Sequence, residues 1–228
     1  MSLRKCLAVG AFFALAAVAL TAPASAGSLA LSDDFESMSA QLWAEGSTHG
    51  AWKTRFDGFG SVGVERAGSK VLMLKPKAST SPGETHAALV TSEEKFSGVD
   101  LSLRAKTVKQ LRRGTPNAWE SAWVIWNYKD NTHFYYLALK PNGWEVGKAD
   151  PAYPGAQRFL ATGSSQKFPV GSWASVDVRQ VGNSMTISAN GKLLTQFVDA
   201  ERPYTSGAVG VYNEDAKTYF DDIEVAAL

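Results

Sequence analysis

Alternation is the feature that most restricts what this chain can fold into. Residues 99–106 read VDLSLRAK, with Val99, Leu101, Leu103 and Ala105 on one side and Asp100, Ser102, Arg104 and Lys106 on the other. Successive side chains of a strand point to opposite faces, so such a run has one face to bury and one for water. Residues 173–180 (WASVDVRQ) repeat the pattern, with Val176 and Val178 inward and Asp177 and Arg179 outward. Two further runs, Ser184–Ala189 and Lys192–Val198, flank Asn190-Gly191, a dipeptide suited to the type I′ turn of a tight hairpin. Residues 71–74, 87–91, 122–128 and 132–140 read as more strands, whereas residues 36–44 are the best helical stretch and are short. Many strands, frequent turn residues and little helix predict an all-β fold, a single β-sandwich jelly roll of two antiparallel sheets.

The first 26 residues stand outside this pattern. Arg4 and Lys5 precede an apolar run over residues 7–20, and TAPASA ends in small residues at Ala24 and Ala26. That is the form of a secretory signal peptide, too short and wrongly flanked for a membrane anchor. Cleavage after Ala26 is expected to leave one domain over residues 27–228, secreted or periplasmic, not inserted in a membrane and monomeric. The sole cysteine, Cys6, lies ahead of the apolar run, which excludes a lipoprotein box and leaves the domain without a disulfide. The sequence has 23 Lys and Arg against 22 Asp and Glu, interspersed rather than in blocks. No basic footprint for nucleic acid exists in such a chain.

Residues 119–140 (WESAWVIWNYKDNTHFYYLALK) are exceptionally aromatic. Strict alternation puts Trp126 and Tyr128 on one face and Trp123 and Asn127 on the other; likewise His133 and Tyr135 oppose Phe134, Tyr136 and Lys140. One face must fill the core. The other presents polar-tipped rings of the kind on which sugar rings stack. Trp119, Trp126, Tyr128, His133, Tyr135, Lys140 and Trp144 are the candidate substrate-binding residues, and a poly- or oligosaccharide is the expected partner.

Two charged groups add to this. Arg104, Lys106, Arg112, Arg113, Lys140 and His86 would suit acidic sugars if they line one groove, and are solvated surface charge if they do not. Asp33-Asp34 opens the first strand and Asp221-Asp222 lies in the last. If those strands run side by side, Asp34, Asp221 and Asp222 offer oxygen ligands for a structural Ca²⁺. Alternation places Asp221 beside Ile223 and Val225, hence buried; backbone N–H donors could satisfy it without a metal. No thiol, G-x-S-x-G elbow or H-E-x-x-H zinc motif occurs after the leader.

Residues 131–148 (NTHFYYLALKPNGWEVGK) and the C-terminal GAVGVYNEDAKTYFDDIEV, residues 207–225, resemble the concanavalin A-like lectin and glucanase superfamily. That group includes laminin-G-like modules, carbohydrate-binding modules and the 3-keto-disaccharide hydrolase domain. The resemblance implies a jelly roll and a sugar ligand, and is specific for fold rather than activity. Its laminarinase branch needs E-x-D-x-x-E on one strand, which is absent. GVYNE, residues 210–214, is similar to the tyrosine-bearing strand of jelly-roll polysaccharide lyases. That similarity implies Tyr212 as the catalytic tyrosine, with His86, Arg104 and Arg112 as base or charge neutraliser, although the R-x-E-L-R and Q-[IV]-H strands of those lyases are missing. The leading expectation is therefore a carbohydrate-recognising jelly roll. The alternative is a lyase cleaving a uronate-containing glycan by β-elimination, and a third is a structural or adhesive envelope protein.

Overall fold

The computed structural model describes residues 28–228; the expected leader lies outside them. Strands β1 (Leu29–Asp33), β2 (Leu42–Trp43), β3 (Thr48–His49), β4 (Trp52–Phe56), β5 (Ser61–Ala67) and β6 (Ser69–Lys75) come first. β7 (Ala87–Ser92), β8 (Val99–Gln110), β9 (Ala122–Asp130), β10 (His133–Lys140), β11 (Gly143–Ala149) and β12 (Gln157–Gly163) follow. β13 (Trp173–Val181), β14 (Ser184–Ala189), β15 (Lys192–Val198), β16 (Ala208–Glu214) and β17 (Ala216–Ala227) complete the series. Among the described residues the one helical element is a 3-10 turn at Pro154–Ala156.

The strands form two antiparallel sheets, as the alternation predicts. One runs β15-β14-β13-β8-β17-β6-β5-β2, with β1 added on β17; the other runs β12-β11-β10-β9-β16-β7-β4-β3. The first and last strands do lie side by side, with Asp33 opposite Ile223. Asn190 and Gly191 both take positive φ, 49° and 70°, as a type I′ turn requires. Residues 36–44 form turns and β2 instead of a helix. Lys70 takes the carbonyls of Glu36 and Met38 at 2.5 and 2.7 Å, so these are not free for helical bonds.

The main core fills the space between the sheets, with Leu101, Leu103, Val176 and Val178 facing Val124, Leu137, Val146 and Val211. Two bulges decide which side chains join it. In β9, Asn127 takes φ 50°, and the four residues from Ile125 to Tyr128 oppose the three from Gly210 to Ala208. The extra residue inverts the alternation: Trp126 packs into the core and Tyr128 onto the opposite, outer face. In β17, Asp222 takes φ 49°, and the register against β8 slips between Asp221 and Glu224. Ile223 and Val225 are in the core as expected, but Asp221 leaves their face and meets Arg104 and Ser69.

Candidate functional site

The outer face of the eight-stranded sheet carries a second apolar cluster that holds Trp123, Tyr128, Phe134 and Tyr136, with Tyr212 packed against it. Trp123 and Tyr136 come from neighbouring strands and stack with centroids 4.6 Å apart. Tyr212 of β16 meets the Trp123 ring edgewise at 5.1 Å, and Phe134 tilts against Tyr212 at 6.5 Å. Tyr136 lies across Gly147, its partner in β11, where a Cβ would collide with the hydroxyl. The Trp123 indole donates to the Trp119 carbonyl at 2.8 Å, which ties the loop before β9 to the wall. Above these rings opens a groove of 600 Å³. Trp119 and Phe159, 46% and 60% exposed, stand at its rim.

Two carboxylates reach this groove in unlike surroundings. Glu145 of β11 accepts from the Tyr136 hydroxyl at 3.1 Å and pairs with Lys140 Nζ at 2.9 Å. Glu214, at the end of β16, accepts from the Tyr212 hydroxyl at 2.6 Å and has no cation within ion-pair distance among the described residues. Burial raises the Glu214 carboxyl above its ordinary value of 4.5, although the Tyr212 hydrogen bond pulls the other way. Burial likewise pushes the Tyr212 and Tyr136 hydroxyls well up, so both are donors. Gln157 donates to the Tyr136 hydroxyl from the adjoining strand. A buried carboxylate with a raised pKa and no cation beside it is a candidate general base.

Of the residues picked out in the sequence, the structure brings Tyr212, Trp119 and Lys140 to this groove. Tyr128 lies on the same face, farther along, against Phe134 at 6.2 Å. Trp126, Tyr135 and Trp144 do not join them; all three are in the core between the sheets. Their polar tips explain how a core accepts Trp126 and Tyr135. The Trp126 indole donates to Gln180 at 2.7 Å, and the Tyr135 hydroxyl donates to Asp199 at 2.6 Å while accepting from the Tyr204 amide at 3.1 Å. Trp144 lies against Gly163, where any side chain would strike its ring. His133, at the start of β10, bonds Asp130 at 2.9 Å and meets Tyr204 edgewise.

The expected basic group is dispersed. Arg112 is nearly buried and spends its guanidinium on Glu120, on Asp215 at 2.9 Å, and on the carbonyls of Ser81 and Glu84 at 2.8 and 2.9 Å. It therefore clamps loops behind Glu214 rather than facing the groove. His86 bonds Ser79 at 3.3 Å and packs edgewise on Phe59. Arg104 is on the other sheet, over Trp173, and binds Asp221 at 2.8 Å and Asp222 at 2.5 Å.

That pairing also fills the expected metal position. Arg104 neutralises Asp221 and Asp222, while Asp34 caps the following turn by accepting the Glu36 amide at 3.0 Å. The three carboxylates do not converge, and no group of three His, Asp or Glu among the described residues could hold a metal ion. The donor set does not fit Ca²⁺. A polar groove of 610 Å³ crosses this sheet beside Asp33, Asp177 and Glu224, but it has neither aromatic floor nor unpaired cation.

The sequence reading passed over Trp123, Tyr136, Glu145 and Glu214 as site residues. One signal for Glu214 was present: it stands two residues after Tyr212, and strand period 2 puts both on one face.

A search of curated proteins finds no match. The fold is shared with solved structures at low identity. A carbohydrate-binding module of Bacillus subtilis, CBM66, is 14% identical over 78% of this chain and 96% of its own, with a TM-score of 0.56. A Bacillus subtilis protein of galectin-like fold is 12% identical over 89% of this chain and 97% of its own, at 0.57. A Bacteroides ovatus family 16 glycoside hydrolase, solved with a mixed-linkage glucan product, is 11% identical over 86% and 99%, at 0.54. These likenesses show a shared jelly-roll fold. In sequence, residues 37–226 match the model of one family across both sheets. The chain belongs to the 3-keto-alpha-glucoside-1,2-lyase-like domain family.

Proposed function

We propose that the protein is an exported carbohydrate-active enzyme that cleaves a keto-glycoside by elimination in the groove over Trp123. The observation that carries this reading is Glu214, a carboxylate raised by burial and held by Tyr212 beside an aromatic floor. The family description supplies the substrate class, a glucoside oxidised at carbon 3, and the bond, between carbons 1 and 2 of the product. A carbonyl at carbon 3 acidifies the proton at carbon 2. Glu214 takes that proton, the carbon 2 electron pair forms the double bond to carbon 1, and the bond from carbon 1 to the leaving oxygen breaks. The departing oxygen takes a proton from the acid partner. In this reading Tyr136, hydrogen-bonded to Glu145 and Gln157, is the donor, and Lys140 on the same groove is the cation that would offset charge on the enolate.

This keeps elimination, expected above for a uronate lyase, but assigns it to other residues. His86, Arg104 and Arg112 have no part in it. A second reading, recognition without turnover, is favoured by the exposed rim residues Trp119 and Phe159, which can stack a sugar and carry no reacting group.

One experiment separates the two. The protein is incubated with 3-keto methyl α-glucoside in deuterated water and followed by proton NMR. Elimination predicts an enol-ether product with a new vinyl signal at carbon 1 and loss of methanol. Line broadening of an unchanged sugar would instead mean binding alone.

A further inference from the structure

The outer face does not end at the groove. From Tyr212 the rings continue to Phe134 at 6.5 Å and Tyr128 at 6.2 Å, and the Arg55 guanidinium lies 5.2 Å above the Tyr128 ring. There a second groove of 460 Å³ opens, lined by Lys53, Arg55, Tyr128, Asp130 and Asn131.

Arg55 is unusual in its chemistry. Arg104, Arg158 and Arg179 are also partly buried, and each binds a carboxylate. Among the described residues Arg55 has none; its Nε donates to the Thr91 hydroxyl at 2.8 Å and its terminal nitrogens have no protein acceptor. Those terminal nitrogens open onto the groove, where a planar anion can take both of them at once. Lys53 adds a second cation, whose nearest carboxylate is Glu93 at 4.0 Å. The one carboxylate in the groove, Asp130, is already bonded by Thr132 at 2.7 Å and His133 at 2.9 Å.

We propose that Arg55 anchors a carboxylate-bearing sugar unit, so that the ligand is an acidic oligosaccharide lying along Tyr212, Phe134 and Tyr128. The planar fork of arginine matches a carboxylate through two parallel bonds, and Tyr128 holds that fork in one orientation. The inference rests on the reading of the Trp123 groove as the glycoside site and adds to it the charge and length of the substrate. The cation in question is one that strand reading did not single out.

Calorimetric titration of the whole protein with tri-galacturonic acid and with its methyl ester tests this, since esterification removes the charge and keeps the sugar chain. The acid is expected to bind about tenfold more tightly. Arg55→Gln should abolish that difference while leaving ester binding unchanged, and Arg55→Lys should retain part of it. Equal binding of acid and ester, an acid preference that survives in Arg55→Gln, or no binding of the acid at millimolar concentration overturns the subsite. Equal binding alongside Glu214-dependent turnover of the keto-glucoside overturns the subsite and leaves the groove reading standing. An Arg55-dependent acid preference without such turnover does the reverse.

Discussion

Glu214 and the two tryptophans of β9 show how one residue's position fixes its role. Burial raises the Glu214 carboxyl above its ordinary value, which makes it a stronger base where it is ionised. A group whose folded pKa is raised loses stability as pH climbs from 4.5 through the folded value. Glu214→Gln, neutral at every pH and still able to accept from Tyr212, should therefore melt higher than wild type at neutral pH and equally at low pH. Melting curves across pH check this; parallel profiles would contradict it. For the tryptophans, Trp126→Ala empties a core site and should cost about 3–5 kcal/mol in denaturant titration. Trp123→Ala should weaken sugar binding and cost less stability. The sequence showed that these residues oppose one another, but not which one faced the other sheet. Trp126 is held on that side by Gln180, a partner distant in sequence.

At the level of elements, plain alternation was legible and bulges were not. The expected runs 99–106, 173–180, 184–189 and 192–198 fall inside β8, β13, β14 and β15. In β8, β13 and β14 the buried side chains keep period 2 over those runs, whereas β15 slips its register opposite Ile187 and Ser188 and leaves Leu193 and Val198 exposed. β9 and β17 break the period at Asn127 and Asp222, and both misplaced faces trace to those residues. Asn127 has its reason in tertiary structure, since its side-chain amide donates to the Tyr204 carbonyl at 2.7 Å. Asn127→Ala loses that bond and puts Ala at positive φ, so a loss of about 1–3 kcal/mol is expected by thermal or chemical unfolding. The Arg112 clamp is a second element-level device. Arg112→Met would leave Glu120 and Asp215 buried without their cation, at a cost of about 3–5 kcal/mol. Its loss should also reach the groove, because Asp215 follows Glu214 and Glu120 follows Trp119.

For the whole molecule, composition and alternation together foretold two stacked antiparallel sheets, and the C-terminal motif foretold the superfamily. The binding face could not be foretold from spacing, because both faces of the eight-stranded sheet are aromatic and only the packed partner sheet distinguishes them. Calcium was a reasonable expectation for paired Asp residues on adjacent strands, but Arg104 takes that place. The melting temperature should accordingly be indifferent to chelator, and a clear drop would mean that a metal site exists elsewhere. The central claim is that Glu214 removes a proton from a keto-glycoside bound over Trp123. Its most direct test is kcat/KM for 3-keto nitrophenyl α-glucoside, measured on wild type and Glu214→Gln. The account predicts a loss of about 10²–10⁴-fold in a variant at least as stable as wild type. Activity within a few-fold of wild type in the folded variant would contradict it.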